Sequence, residues 1–358
     1  MSLQNSRMQT YFERIKKMYF CTLFDGNFID RALILYYSLC RVMSDFKLFM
    51  FTLDDTAFDI LSDMHLDNAV IVKETDFLDD ELKTVKKTRS RTEYCWTCTP
   101  SVIRYAINNF QLQYCIYIDA DMKFYASPEM LLKEIIEGEG DVCIVGHRFA
   151  DNFMKKTKEK QHGKYCVEFN LFFNNENGLR ILEWWREKCL ESCSMKENDI
   201  SFGDQMYLND WPILFDNVYE VQNKGAGVAP WNITEYELVH RDRKKVTLKY
   251  RKREICELVF FHFQGLNFID DRTVNLNIYN EIGSIDDELV DLLYNEYITE
   301  ILNTRAFLHE KYMHLIQKPE NRTQGSKWKY TGMTDLITYL ANYAISKTRG
   351  KKNWRTID

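Results

Sequence analysis

The chain has 358 residues, 45% of them hydrophobic and 28% charged, enough to bury one large core with an appendage or two smaller domains. A formal net charge of −6 excludes a general nucleic-acid binder, whose affinity needs a cationic face. Ten cysteines are scattered singly, with no secretory signal and no long apolar span, so a reducing, cytoplasmic setting is expected.

Taken in chain order, strand-like runs occur near 18–24, 48–53, 69–73, 114–118, 142–146 and 168–173. Helical patterns such as 32–44, 55–64 and 99–110 separate them. This alternation predicts an α/β domain with a mostly parallel sheet, helices on both faces and a ligand cleft at the strands' carboxyl ends. The Cys95-Trp96-Thr97-Cys98 spacing lacks a second pair for zinc and is expected to pack in the core. Phe153 to Lys164 has five lysines and no apolar period, and is expected to be a loop near the cleft mouth. From Asp286 onwards the pattern becomes helical, with Leu289, Leu292, Leu293, Tyr297 and Ile301 near one face and a second segment over 334–345. The expected division is therefore residues 1–275 and a helical extension over 276–358.

The most informative stretch is the apolar run 115–118, which ends in Asp119-Ala120-Asp121. Alternate residues at a strand's exit share a side, so the two carboxylates can converge on one divalent cation. An ionised pair at a buried strand's end is costly unless a positive group neutralises it. Late in the chain, His262 stands in a run too apolar for a solvated histidine, with Gly265 three residues on.

These fragments have a fixed order: Asp25-Gly26-Asn27-Phe28 after the first strand, then Asp119-Ala120-Asp121, Phe169-Asn170, Gly203-Asp204-Gln205 and His262-Phe263-Gln264-Gly265. Over roughly residues 18–267 the series resembles the family 8 glycosyltransferases and related nucleotide-diphospho-sugar transferases of the Rossmann-like GT-A fold. The resemblance implies a UDP-sugar donor, a saccharide or lipid-linked saccharide acceptor, and retention of anomeric configuration. It implies nucleoside contacts at Asp25, Asn27 and Phe28 and metal ligation by Asp119, Asp121 and His262, with Ala120 and Gly265 close to the bound nucleotide. Arg104, Asn170, Asp204 and Gln205 would hold the donor sugar and line the reacting face. Two carboxylates and an imidazole suit Mn²⁺ somewhat better than Mg²⁺. Retention leaves two routes open: a covalent intermediate on Glu168 or Asp204, or proton transfer from the acceptor to the leaving phosphate. Where many members carry a lysine after the late glycine, Leu266-Asn267-Phe268 stands here, and Lys224 or a lysine of 155–164 is a candidate substitute.

The segment 224–232, with Gly225, Gly227 and Trp231, reads either as an acceptor-side loop with a sugar platform or as a turn closing on the core. A sugar-phosphate nucleotidyltransferase shares the layering but needs a glycine-rich basic loop after the first strand, which Asp25-Gly26-Asn27 is not. A degenerate protein that binds nucleotide or glycan without turnover is the non-enzymatic alternative. The last 37 residues carry eight Lys or Arg against two Asp, so peripheral contact with the inner, anionic face of a membrane is expected there.

Overall fold

Alternate residues of each central strand must bury on opposite faces of the sheet, and here both faces are covered. A computed structural model describes residues 17–194, 203–242, 245–270, 273–278, 284–315 and 354–356. The segment 334–345 and nearly all of the basic tail lie outside these described residues.

The central strands are β1 (Met18–Phe24), β2 (Phe46–Thr52), β3 (Ala69–Lys73), β4 (Tyr114–Ile118), β5 (Met122–Phe124), β6 (Val142–Gly146), β7 (Tyr165–Cys166), β8 (Phe169–Phe173) and β9 (Val218–Glu220). The main sheet runs β3-β2-β1-β4-β8-β6-β7, with β9 beside β6. The half made of β3, β2, β1 and β4 is parallel, as expected. In the other half β8 runs antiparallel to β4 and β6, and β7 to β6, while β6 and β9 keep the direction of β4, so the sheet is mostly parallel as expected. A strand buried on both faces has the same apolar pattern in either direction, so the sequence does not show its polarity.

The helices are α1 (Ile29–Val42), α2 (Asp55–Asp63), α3 (Glu74–Phe77), α4 (Asp80–Lys86), α5 (Arg91–Asn109), α6 (Glu129–Glu137), α7 (Lys155–His162), α8 (Glu176–Glu191), α9 (Trp211–Leu214) and α10 (Asp287–Tyr312). One face of the sheet buries Phe20, Leu48 and Ile116 against Leu33 and Leu39 of α1 and Leu131 of α6. The other buries Cys21, Phe49 and Tyr117 against Val102 and Ile103 of α5 and Leu182 and Trp185 of α8. Cys95 and Cys98 lie inside α5, started by a capping box between Ser90 and Glu93, and all ten cysteines are free.

The expected loop over 153–164 contains a helix, α7. It buries none of its residues, so no apolar period marked it; Lys, Glu and Gln favour it intrinsically, and Gly163 ends it at φ 87°.

A third core lies outside the main sheet, where α10 covers a hairpin layer of β10 (Tyr236–Arg241), β11 (Val246–Tyr250) and β12 (Glu254–Glu257), and the short strand β13 (Phe260–His262). Leu289, Leu293, Tyr297 and Ile301 are buried here and Leu292 partly so, matching the expected stripe. Phe263 stacks on Tyr297 at 3.7 Å between ring centres. The residues Trp354–Thr356 return as a strand against Thr273–Asn275, and Arg355, one of the tail's cations, pairs with Asp291 of α10.

Lys123, 1% exposed in β5, reaches Glu296 and Glu300 of α10 at 3.1 and 2.9 Å. Both carboxylates keep another arginine, Arg241 and Arg41 respectively, so removing the lysine does not strand them. Lys123→Met is therefore expected to lower stability by roughly 1–2 kcal/mol, between an exposed pair and a fully buried one, measured by urea unfolding.

Candidate active site

The order of the main sheet reverses between β1 and β4: β2 and β3 follow on one side of β1, and β4 lies on the other. At such a switch point the connections leave in opposite directions and open a crevice at the carboxyl ends. The Asp25 loop leaves β1 there, and the two aspartates leave β4.

All five residues of β4 are buried, and the strand stops at Ile118. Asp119–Asp121 form a tight turn, with Met122 N donating to Asp119 O at 3.3 Å, that leads into β5. The carboxylates thus converge through a turn rather than through the alternation of a continuing strand. Strand β5 pairs antiparallel with β13, setting Met122 opposite His262, and Phe263 N donates to Asp121 O at 3.0 Å.

That register brings His262 Nε2 to 3.1 Å from Asp121 Oδ1 and 3.5 Å from Asp119 Oδ2. One ligand atom from each of these three residues lies within 4.8 Å of the others. The Tyr117 hydroxyl donates to Asp119 Oδ1 at 2.9 Å, and His262 Nδ1 lies 2.9 Å from Glu168 Oε2. Glu168 is fully buried, and this contact fixes the ring so that Nε2 faces the aspartates.

Burial, with repulsion from Asp121, raises Asp119 to about 8 even though His262 opposes it. Burial also works against Asp121, but the imidazole's charge and hydrogen bond outweigh it and hold that carboxyl below its usual range. Burial would lower His262, and Asp121 overrides it, so the ring is raised well above an ordinary histidine. Two desolvated carboxylates with one imidazole are short of positive charge, and their donor set fits a divalent ion of the Mn²⁺ or Mg²⁺ kind.

In the β1 loop Asp25 accepts from Asn27 N at 2.9 Å and pairs with Arg91 at the start of α5. Arg91 also reaches Asp54 at 2.7 Å, and Asp54 in turn accepts from Gly26 N at 2.8 Å. Phe28 is 39% exposed, with the Arg31 guanidinium 4.9 Å from its ring centre. A flat, half-open ring beside Asp25 and Asn27 is suited to a nucleobase.

Asn170 is buried, donates to Cys143 O at 3.2 Å, and has a buried Oδ1 with no protein partner. Asp204 is 5% exposed, and burial raises it to about 7 against a hydrogen bond from Thr99. Gln205 donates to His162 O at 2.7 Å, tying it to the end of α7. Gly265 adopts φ 74°, and a Cβ there would lie 2.2 Å from Asn277 Nδ2, so glycine is required on both counts. Ala120 is buried within the aspartate turn.

Arg104 departs from expectation: it pairs with Glu183 of α8 at 3.1 Å, both side chains about two-fifths exposed, and is not brought to the aspartates. Its helix turns that face towards α8. The glycines of 224–232 serve packing, since a Cβ at Gly225 would lie 1.7 Å from Glu257 O. Trp231 nevertheless stands edge-on to His262 at 5.4 Å and to His147 at 5.0 Å. A separate cavity of about 770 Å³, lined by Asp151, Tyr236, Arg251 and Asp286 among others, includes none of the three clustered ligands.

Sequence reasoning missed Arg31, Asp54 and Arg91. Arg31 and Arg91 look like ordinary first-turn helix residues, and only the packing of separate loops brings them to the crevice.

The reversed sheet order, the carboxylate turn leaving β4 and the histidine returned beside it place a three-ligand cluster at the switch point of a Rossmann-like α/β sheet, the layering expected of the GT-A fold. The chain matches no protein-family model. The uncharacterised proteins YfnF and YfnD of Bacillus subtilis (strain 168) are 26% and 25% identical to it over 309 and 295 residues, covering 85% and 82% of this chain and 99% and 90% of theirs. Among solved structures it is similar to mouse xyloside xylosyltransferase 1 in its apo form, at 10% identity and a TM-score of 0.44 over 70% of this chain and 98% of that one. The galactosyltransferase LgtC with donor and acceptor sugar analogues gives 12%, 0.43, 69% and 87%. The apo bifunctional glycosyltransferase WbbM gives 14%, 0.44, 83% and 52%. At that level of superposition they assign no residue, and the site's own side chains carry the function.

Because Asp204 is raised, its protonated form favours the folded state; that contribution is complete below about pH 4 and is lost as pH rises through about 7. Asp204→Asn does not titrate. Its melting temperature relative to the wild type is expected to rise by several degrees between pH 5 and pH 8, read by scanning calorimetry.

Proposed function

We propose that this protein is a metal-dependent glycosyltransferase that moves a hexose from a UDP-sugar to a saccharide or lipid-linked saccharide acceptor, with retention of configuration. The observation that carries this reading is the convergence of Asp119, Asp121 and His262 at the β1/β4 switch point, beside the Asp25–Phe28 loop. Asp119, Asp121 and His262 would hold Mn²⁺ or Mg²⁺, which as a Lewis acid stabilises negative charge on the departing diphosphate.

The remaining side chains divide the work of binding. Asp25, Asn27 and Phe28 hold the nucleoside, with Asp25 fixed by Arg91. Asn170, whose buried Oδ1 has no protein partner, and Asp204 and Gln205 hold the donor sugar and line the reacting face. Trp231 covers one side of His262.

Glu168 is committed to His262 and fully buried, which argues against it as a nucleophile. The favoured route is therefore same-face transfer: the acceptor oxygen bonds to the anomeric carbon as the bond to the diphosphate breaks, and the acceptor's proton passes to the departing phosphate oxygen. No helix among the described residues is long and apolar enough to cross a membrane. A lipid-linked acceptor would be met from the membrane surface, through the basic tail.

Calorimetric titration of UDP with and without Mn²⁺ tests the reading. The wild type is expected to bind UDP only with the metal, and Asp121→Ala to lose that binding; no binding by the wild type under either condition would overturn the assignment. Glu168→Ala is expected to weaken Mn²⁺ binding about 10- to 100-fold, followed by the EPR signal of free Mn²⁺, because the imidazole loses its orienting partner.

A further inference from the structure

We infer that Arg31 supplies the positive charge that binds the diphosphate, a role that rests on the function proposed above. The need follows from charge balance. Two aspartates cancel a divalent ion, so the ligands and metal together leave the diphosphate's own charge uncompensated. His262 is already engaged by Glu168 on one side and the aspartates on the other.

Arg31 lies in the first turn of α1, three residues after Phe28, and is 4% exposed. Its Nη2 donates to Leu266 O at 3.1 Å, the residue that follows Gly265. Phe263, three residues earlier, is hydrogen-bonded to Asp121 O. The guanidinium therefore touches both the nucleoside loop and the late glycine segment, which the β5–β13 pairing sets beside the aspartates. Asp121 and Arg31 also feel each other's charge, each helping to keep the other ionised.

Asp30 does not cancel this charge. Its Oδ1 takes Arg31 Nη1 at 3.1 Å, and its Oδ2 takes Arg305 Nε of α10 at 2.6 Å. One carboxylate shared by two guanidiniums leaves one net positive charge at the crevice. A planar guanidinium with fixed donors suits phosphate oxygens better than an ammonium on a flexible stem.

The test compares UDP and uridine on the full chain with Mn²⁺, by calorimetry and by ligand-observed NMR respectively. Arg31→Gln keeps a donor for Leu266 O and loses the charge. It is expected to bind UDP about 10- to 100-fold more weakly, with uridine affinity unchanged within about twofold. Equal losses for both ligands would mean that Arg31 only supports the loop, and no loss for UDP would exclude it; either overturns the role. If Arg31→Gln does not fold, Arg31→Lys decides: a severalfold loss confined to UDP supports the role, and an unchanged UDP-to-uridine ratio overturns it. A wild type that binds no UDP with Mn²⁺ overturns the proposed function together with this role. Wild-type binding with an unaltered ratio in the variant overturns the role alone.

Discussion

The pairing of β5 with β13 is the constraint on which the site depends. Three residues from each strand set Met122 opposite His262, and so place an imidazole from late in the chain against two carboxylates from its middle. Neither partner is stable there alone: the carboxylates resist burial, and the ring resists carrying a charge in an apolar layer. Glu168 closes the arrangement from behind, so the ring is held at both nitrogens and its face is set before any ligand arrives. A slip of one residue in this register would send His262 to the other side of the strand.

Much of the scaffold is legible in the residues because its strands and helices have strong local signals. β1, β3, β4 and β6 fall where apolar runs bounded by turn residues put them, and α10 buries the stripe its spacing announces. Strand polarity does not show, since β8 is buried on both faces. Helix α7 does not show either, because it packs no face and has no period to read. The same division holds at the site. Asp119, Asp121 and His262 announce themselves by placing costly groups in apolar runs, and the structure brings them together. Arg104 is an arginine on the correct helix whose face turns to Glu183. Arg31, Asp54 and Arg91 acquire meaning only from contacts between segments 28 to 235 residues apart in sequence.

The electrostatics of the cluster tie folding to ligand binding. Asp119 is raised to about 8 by burial and His262 is raised well above an ordinary histidine by Asp121, so the cluster holds on to protons. On the function proposed above, a divalent ion held here would displace protons from Asp119 and His262, and its affinity would then increase with pH.

The sharing of Asp30 between Arg31 and Arg305 also limits how the chain can be rebuilt. Helix α10 is joined to the catalytic layer by that carboxylate and by Lys123, both anchored in elements that flank the cleft. A chimera that takes α10 from another protein must carry a cation at position 305, or Asp30 claims Arg31 for itself. Helix α10 is thus tied through Arg305 to the carboxylate that Arg31 uses, and is not an interchangeable cap.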